Sequence, residues 1–169
     1  VSYGYGISVS LLHLAKAYAI LGTGGFDIEP TILKKNHNSQ SGSRVLKKTT
    51  SDEMLKLLEA VVTDQRGTAR ILRSKYYRIG GKTGTAEKVS SETRGYQKDK
   101  VVANFVGLFP LQDPRFVIAA FLDEPENNLI QEPCRYASCT VVPMVKKLIE
   151  RTGPLMNVTS DHQALVFYR

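Results

Sequence analysis

The spacing of apolar residues changes along this chain, and each change predicts an element. In "SLLHLAKAYAIL" (10–21), Leu11, Leu14, Ala15, Tyr18 and Leu21 recur at the steps of one helix face. Ser10 stands where an N-cap oxygen is useful, and Gly22 where a left-handed cap suits glycine. "GTGG" then reads as a loop, and "TILKK" after Pro30 as an extended stretch. The polar run "NHNSQSGS" (36–43) predicts a turn, with "RVLKK" returning as the second arm of a hairpin. A second helix is expected from Thr50, whose spacing to Glu53 is that of a capping box. Met54, Leu55, Leu58, Val61 and Val62 supply its apolar stripe. "QRGTARILRSK" predicts a short helix after a glycine break.

Beyond this point the pattern becomes strand-like. "YYRIGGKTGTA" predicts a strand in which Tyr76 and Tyr77 face opposite sides, one core and one surface. "EKVSSETRGYQKDK" (87–100) is polar and predicts an excursion between strands. "VVANFVGLF" (101–109) and "FVIAAFLDE" (116–124) are β-rich runs. They are joined by "PLQDPR", whose prolines cannot donate to a ladder. Residues 140–151 predict a last helix, with Pro143 in its first turn. Lys146, Lys147 and Arg151 then lie where a helix dipole favours cations, and Gly153 and Pro154 end the helix. Residues 155–169 carry no pattern and read as a C-terminal tail. The class is α+β: an antiparallel sheet of about three strands flanked by helices.

Composition sharpens this only in part. A 169-residue chain that is 42% hydrophobic and 23% charged can bury the core of one domain. No apolar run reaches the roughly 18 residues of a membrane-spanning helix, and no signal-peptide pattern opens the chain. The net charge of +7 admits nucleic acid, an anionic membrane surface or an acidic substrate as partner. Basic residues cluster at Lys34-Lys35, Lys47-Lys48 and the series Arg66, Arg70, Arg73, Lys75, Arg78. Aromatic residues do not interleave with them as a single-strand stacking platform requires. His13, His37 and His162 have no metal-ligand spacing, so neither a metal nor a cofactor is expected. Cys134 and Cys139 allow either a local bridge in an oxidising compartment or two small buried residues.

The candidate chemistry lies in "RIGGKTGTAEK" (78–88). It is not a phosphate loop, because the first glycine of that motif falls on Tyr76. "GYGISV" is not a dinucleotide fingerprint, because its third glycine falls on Val9. Lys82-Thr83-Gly84 is instead the K-T-G triplet that accompanies S-x-x-K and S-D-N-type triplets in penicillin-binding proteins and class A β-lactamases. Its flanks strengthen the match. "GYGISVSLLHLAKAYAILGTGG", "GGKTGTAEK" and "GYQKDKVVANFVGLFPLQDPRFVIAAFLDEP" follow one another in the order found in class B penicillin-binding proteins. The chain therefore resembles the C-terminal part of their transpeptidase domain. Its G-Y-G opening resembles the division-specific septal type. The likeness runs over about residues 3–150. Ser10-Leu11 and His13 depart from the family wording, as does "EPCRYASCTVVP" before Pro143.

The resemblance carries expectations. The fold is that of penicillin-binding proteins and serine β-lactamases, with the K-T-G strand at a sheet edge. Residues 1–169 form a partial transpeptidase domain, because no Ser-x-x-Lys or Ser-x-Asn occurs and the nucleophile of the family lies upstream. The implied parent is a serine D,D-transpeptidase that cross-links D-Ala-D-Ala stem peptides at the septum and is acylated by β-lactam antibiotics. It acts on the periplasmic face of the inner membrane, anchored by an upstream helix, among division-complex proteins and without nucleic acid. Lys82, Thr83 and Thr85 take catalytic roles; Lys82, Gly84 and Thr85 bind substrate. Two other readings compete: a basic nucleic-acid-binding module, and a catalytically dead interaction domain of the same fold.

Overall fold

The computed structural model describes residues 7–34, 42–89, 95–126 and 134–160, without the side chains of 98 and 99. The expected G-Y-G opening, most of the turn at 36–43, the middle of the 87–100 excursion, His37, His162 and most of the tail lie outside these residues.

Helix α1 spans Leu11–Gly22 and α2 spans Lys48–Thr63. A 3-10 turn at Arg70–Leu72 leads to strands β1 (Gly80–Val89), β2 (Tyr96–Phe109) and β3 (Phe116–Asp123), and α3 (Val141–Leu155) follows. The three strands form an antiparallel sheet in the order β1-β2-β3. The α+β class and the edge position of the K-T-G strand are both as expected.

Register separates the two faces. Thr83 pairs with Phe105 and Phe105 with Ala120, so these side chains share one side of the sheet. That side carries the larger core: Ala103, Phe105 and Phe109 meet Leu72, Ala137 and the inner face of α3 at Val141, Val142, Val145 and Ile149. The other side holds a smaller cluster, in which Leu108 and Leu111 meet Leu58 of α2 with Tyr18 and Leu21 of α1 alongside. The apolar stripe of α1 packs here, whereas α2 reaches both clusters, placing Leu55 and Leu58 here and Val61 and Val62 in the larger core. Burial of Tyr18 also raises its phenol pKa.

Several local expectations are corrected. Ser10 does cap α1, accepting from the His13 N–H at 3.3 Å. Gly22, however, is the last helical residue, and the left-handed turn falls on Gly24 (φ +72°) and Gly25 (φ +101°). Gly22 is small for another reason: a Cβ there lies 2.9 Å from Leu108 Cδ2. Helix α2 begins at Lys48, so Thr50 is inside it and forms no capping box. The start is held instead by the Lys48–Asp52 pair at 2.6 Å, one turn apart, and by the buried Ser51 hydroxyl, which donates to the Leu21 carbonyl of α1. The expected hairpin from "TILKK" is absent: residues 31–34 form no strand, and Arg44 bridges Phe26 instead. Tyr76 and Tyr77 precede β1, yet they divide as expected, at 59% and 5% exposed. The excursion is shorter than 87–100, because β1 continues to Val89 and β2 begins at Tyr96, with a register shift at Glu87/Lys88. Gly153 and Pro154 lie inside α3, which carries no basic residue in its last turn. Gly153 faces Tyr77, whose hydroxyl would be 2.6 Å from an added Cβ, and Val158 beyond the helix is buried.

The basic series has structural work. Arg73 donates to the Val62 and Thr63 carbonyls at 3.1 and 2.5 Å, satisfying acceptors left open at the end of α2. Arg78 forks onto Glu59 with two bonds of 2.7 Å, tying the approach to β1 back to the same helix.

At the far end of the hairpin, Lys88 reaches across to Asp123 (2.8 Å) and Glu124 (2.7 Å). The bond to Asp123, then that to Glu124, raises the Lys88 pKa above its usual 10.5. The sign follows: a raised folded-state pKa gives stability that is complete below the unfolded value and lost as pH rises through the folded one. The Lys88 ammonium is therefore expected to titrate above its usual 10.5 in an NMR titration, and Asp123→Asn to lower its midpoint. An unchanged midpoint in that variant would remove the pairing.

Candidate active site

The stretch 80–85 combines two glycines against the core with a cation and two hydroxyls at a sheet margin. Among the described residues β1 pairs only with β2, which leaves the other side of its backbone open. Alternation then divides the residues. Lys82 and Gly84 share the face of Val106 and Asn104, whereas Thr83 and Thr85 share that of Phe105 and Ala103.

Lys82 is exposed, and its ammonium donates to the Thr83 carbonyl at 2.8 Å. It makes no ion pair among the described residues. No described carboxylate compensates its charge, which suits it to meet an anion.

The Thr83 hydroxyl is 2.7 Å from that of Thr68, in the turn after α2. Each hydroxyl can donate once and accept twice, so this contact fixes the Thr83 rotamer and leaves one proton of the pair for another acceptor. The Thr85 hydroxyl accepts from the Ala137 N–H at 3.1 Å. An amide N–H can only donate, so the Thr85 hydroxyl proton remains available.

Gly84 lacks a side chain where Asn104 needs room. A Cβ there lies 2.5 Å from Asn104 Oδ1 and 2.8 Å from its Nδ2. The cross-strand amide therefore lies over the glycine, a neighbour that β-pairing alone creates.

The structure thus brings Lys82, Thr83, Gly84 and Thr85 to one open strand and adds three partners the sequence did not single out: Thr68, Asn104 and Ala137. Thr68 stands in an unremarkable "GTAR", Asn104 inside a strand run and Ala137 in a turn. No residue type or spacing marks them, because each is defined by a neighbour far along the chain. His13 has a local role only, its ring Nδ1 lying 2.8 Å from the Ser10 hydroxyl. Cys134 and Cys139 form a disulfide, which settles the two alternatives for them.

Comparison with known proteins agrees with this geometry. The family model of the penicillin-binding protein transpeptidase domain matches residues 1–149. A probable peptidoglycan D,D-transpeptidase FtsI of Caulobacter vibrioides is 33% identical, over 93% of this chain and 28% of the relative. A probable peptidoglycan D,D-transpeptidase PenA of Neisseria gonorrhoeae is 36% identical, over 74% of this chain and 21% of the relative. The chain therefore spans less than a third of the length of these relatives. Among solved structures, the transpeptidase domain of Burkholderia pseudomallei penicillin-binding protein 3 superposes with a TM-score of 0.82 at 38% identity, covering 95% of this chain and 46% of that one. Penicillin-binding protein 3 of Mycobacterium tuberculosis, complexed with aztreonam, gives 0.75 at 26% identity, covering 94% and 38%. A family match over most of the chain, with the K-T-G-T strand on the sheet margin, places the chain in the penicillin-binding protein transpeptidase domain family.

Proposed function

We propose that these residues form one wall of the active site of a septal peptidoglycan D,D-transpeptidase, a serine acyltransferase that cross-links stem peptides and is acylated by β-lactams. The observation that carries this is the unpaired ammonium of Lys82 beside two threonine hydroxyls on an open strand edge. The donor D-Ala-D-Ala ends in a carboxylate, and Lys82 and the free Thr85 proton are the complementary groups. An extended peptide can lie along β1 by adding to its unpaired margin, as strand-addition ligands do.

The Thr83 carbonyl that takes the Lys82 ammonium marks the side of β1 turned away from β2. Thr85, two residues on, aims its own N–H the same way. That N–H serves as one arm of an oxyanion hole, with the N–H of the attacking serine as the other. The serine oxygen attacks the scissile carbonyl, its proton passes to a neighbouring base, and the terminal D-alanine leaves as the amine. An amine of a second stem peptide then takes the acyl group. Lys82 holds the carboxylate and steadies the protonation of the catalytic hydroxyls. Thr83, held by Thr68, keeps the strand hydroxyls in one arrangement.

These 169 residues contain no Ser-x-x-Lys, so in this reading the nucleophile comes from other parts of the polypeptide. The chain alone is then expected to be inactive. The septal assignment, the periplasmic site of action and an upstream membrane anchor are carried over from the family resemblance, with relatives named FtsI in its support. No helix among the described residues is long and apolar enough to cross a membrane. The use of Arg73 and Arg78 inside the fold takes two of the five basic residues of that series away from the nucleic-acid reading.

The test is covalent labelling with a fluorescent penicillin. The full reading frame that carries this chain is expected to label at one equivalent, and residues 1–169 alone not at all. Failure of the full protein to label would favour the catalytically dead alternative, and labelling of the isolated chain would refute a nucleophile located elsewhere.

A further inference from the structure

The turn that touches Thr85 is closed by a covalent bond. Cys134 and Cys139 are joined, and Ala137 lies within the loop they enclose. The Ala137 N–H donates to Thr85 Oγ1 at 3.1 Å, and its methyl is 2% exposed in the main core. The same residue anchors the start of α3, since its carbonyl accepts from the Thr140 and Val142 N–H groups at 3.4 and 3.0 Å. The Cys139 N–H and the Thr140 hydroxyl bond back to the Tyr136 carbonyl at 3.1 and 2.8 Å. Thr140, at the N-cap of α3, makes no side-chain capping bond. The helix start and the Ala137 amide therefore depend on this turn, and the disulfide closes it.

We infer that the Cys134–Cys139 bridge is a positioning device for the Thr85 hydroxyl. It holds the Ala137 N–H on one lone pair of Oγ1, so that the hydroxyl proton is presented to the anionic end of a bound ligand. This rests on the function proposed above for its ligand half only; the bracing of Ala137 stands on the geometry by itself.

The physical basis is chain entropy. Closing a loop this short restricts the opened turn by a factor of about 10 to 50. With the bridge cut, Ala137 keeps its buried methyl, but the residues before it gain freedom and the N–H···Oγ1 contact is held by packing alone. Thr85 can then turn its hydroxyl and donate elsewhere. A ligand carboxylate must in that case reorder the side chain on binding. Reduction by a small dithiol cleaves the S–S bond to two protein thiols, taking two electrons and two protons from the dithiol, which becomes a cyclic disulfide.

The test uses the full reading frame, oxidised, reduced with dithiothreitol after folding, and as the double variant Cys134→Ser/Cys139→Ser. Two readouts are taken. Amide hydrogen exchange at Ala137 is expected to accelerate about tenfold or more in the reduced and double-variant proteins. Exchange at Phe105 and Val106 in the central strand should stay as it was. Acylation is then measured with a donor peptide ending in a free carboxylate and with its methyl ester. Losing the bridge is expected to raise the half-saturation concentration for the carboxylate donor about fivefold to tenfold, with little change for the ester and in the limiting acylation rate. In a Thr85→Val background, oxidised and reduced proteins are expected to behave alike.

Unchanged exchange at Ala137 would overturn the brace. Faster exchange with an unaltered carboxylate preference, or the same loss in the Thr85→Val background, would overturn its coupling to ligand through Thr85. If the oxidised full protein takes up neither donor, the proposed function falls and the ligand half falls with it. The exchange readout still decides the brace.

Discussion

Replacing Lys82 with alanine in the full protein is expected to slow acylation by penicillin about a thousandfold, or ~4 kcal/mol in the barrier, while leaving thermal stability within ~0.5 kcal/mol of the parent. The two halves of this expectation come from one observation. The Lys82 side chain is exposed and, among the described residues, bonds only to its neighbour's carbonyl at 2.8 Å, so the fold does not depend on it. Its unpaired charge on the strand margin has a use only toward a ligand or a reacting group. Lys82→Arg keeps the charge but spreads it over a planar fork that cannot give up its proton, so only part of the activity is expected back. An acylation rate within tenfold of the parent for Lys82→Ala would end the proposed role. A fall in stability matching the fall in rate would recast Lys82 as structural.

The second large effect concerns Gly81, directly beside it. Gly81→Ala is expected to destabilise the protein by about 3 kcal/mol, a drop of roughly 10 °C in Tm for a chain of this size. The added Cβ lies 2.4 Å from Phe105 Cζ and 2.6 Å from the Val106 carbonyl oxygen. Neither can retreat. Phe105 is fully buried under α3, and Val106 belongs to the central strand. Gly107 faces the same ring from the other side, with a Cβ position 2.7 Å from Phe105 Cε1. The Phe105 ring thus occupies space that two glycines leave empty, as an aromatic side chain does when it covers bare backbone across strands. Gly84→Ala makes the contrast: the atoms it meets are the end of the Asn104 side chain, which can swing away, so a cost below about 1 kcal/mol is expected. Truncating the ring should relieve part of the Gly81→Ala strain, making Gly81→Ala/Phe105→Leu less damaging than the sum of its parts. Equal melting temperatures for Gly81→Ala and Gly84→Ala would show that the ring does not set the requirement.

These two neighbours show how much was legible before folding. The K-T-G triplet and its flanks pointed to the strand, its edge position and its chemistry. The period of Leu11 to Leu21 gave α1 nearly as it is, and the apolar run of Val101 to Phe109 gave the buried part of β2, whose polar start at Tyr96 carries no such signal. Helix ends were less legible. Thr50 and Glu53 have capping-box spacing, yet α2 starts two residues earlier, where the Lys48–Asp52 pair and the contact of Ser51 with Leu21 favour helix. Gly22, Gly153 and Pro154 look like helix stops, but Leu108 and Tyr77 use the room the two glycines leave; α1 takes Gly22 as its last residue and α3 runs through Gly153 and Pro154. The series from Arg66 to Arg78 resembled a binding face until Arg73 and Arg78 found partners on α2.

By itself, the sequence determined the class, the three-strand run and the presence of a cationic, hydroxyl-bearing motif, since these depend on local period and on residue type. Only the tertiary structure decided what each glycine of 80–84 is for, which hydroxyls are engaged and what holds them. Thr68, Asn104 and Ala137 lie 15, 20 and 52 residues from the groups they meet. Contacts at such separations come from the pairing of strands and the packing of α3, and no window of sequence contains both partners.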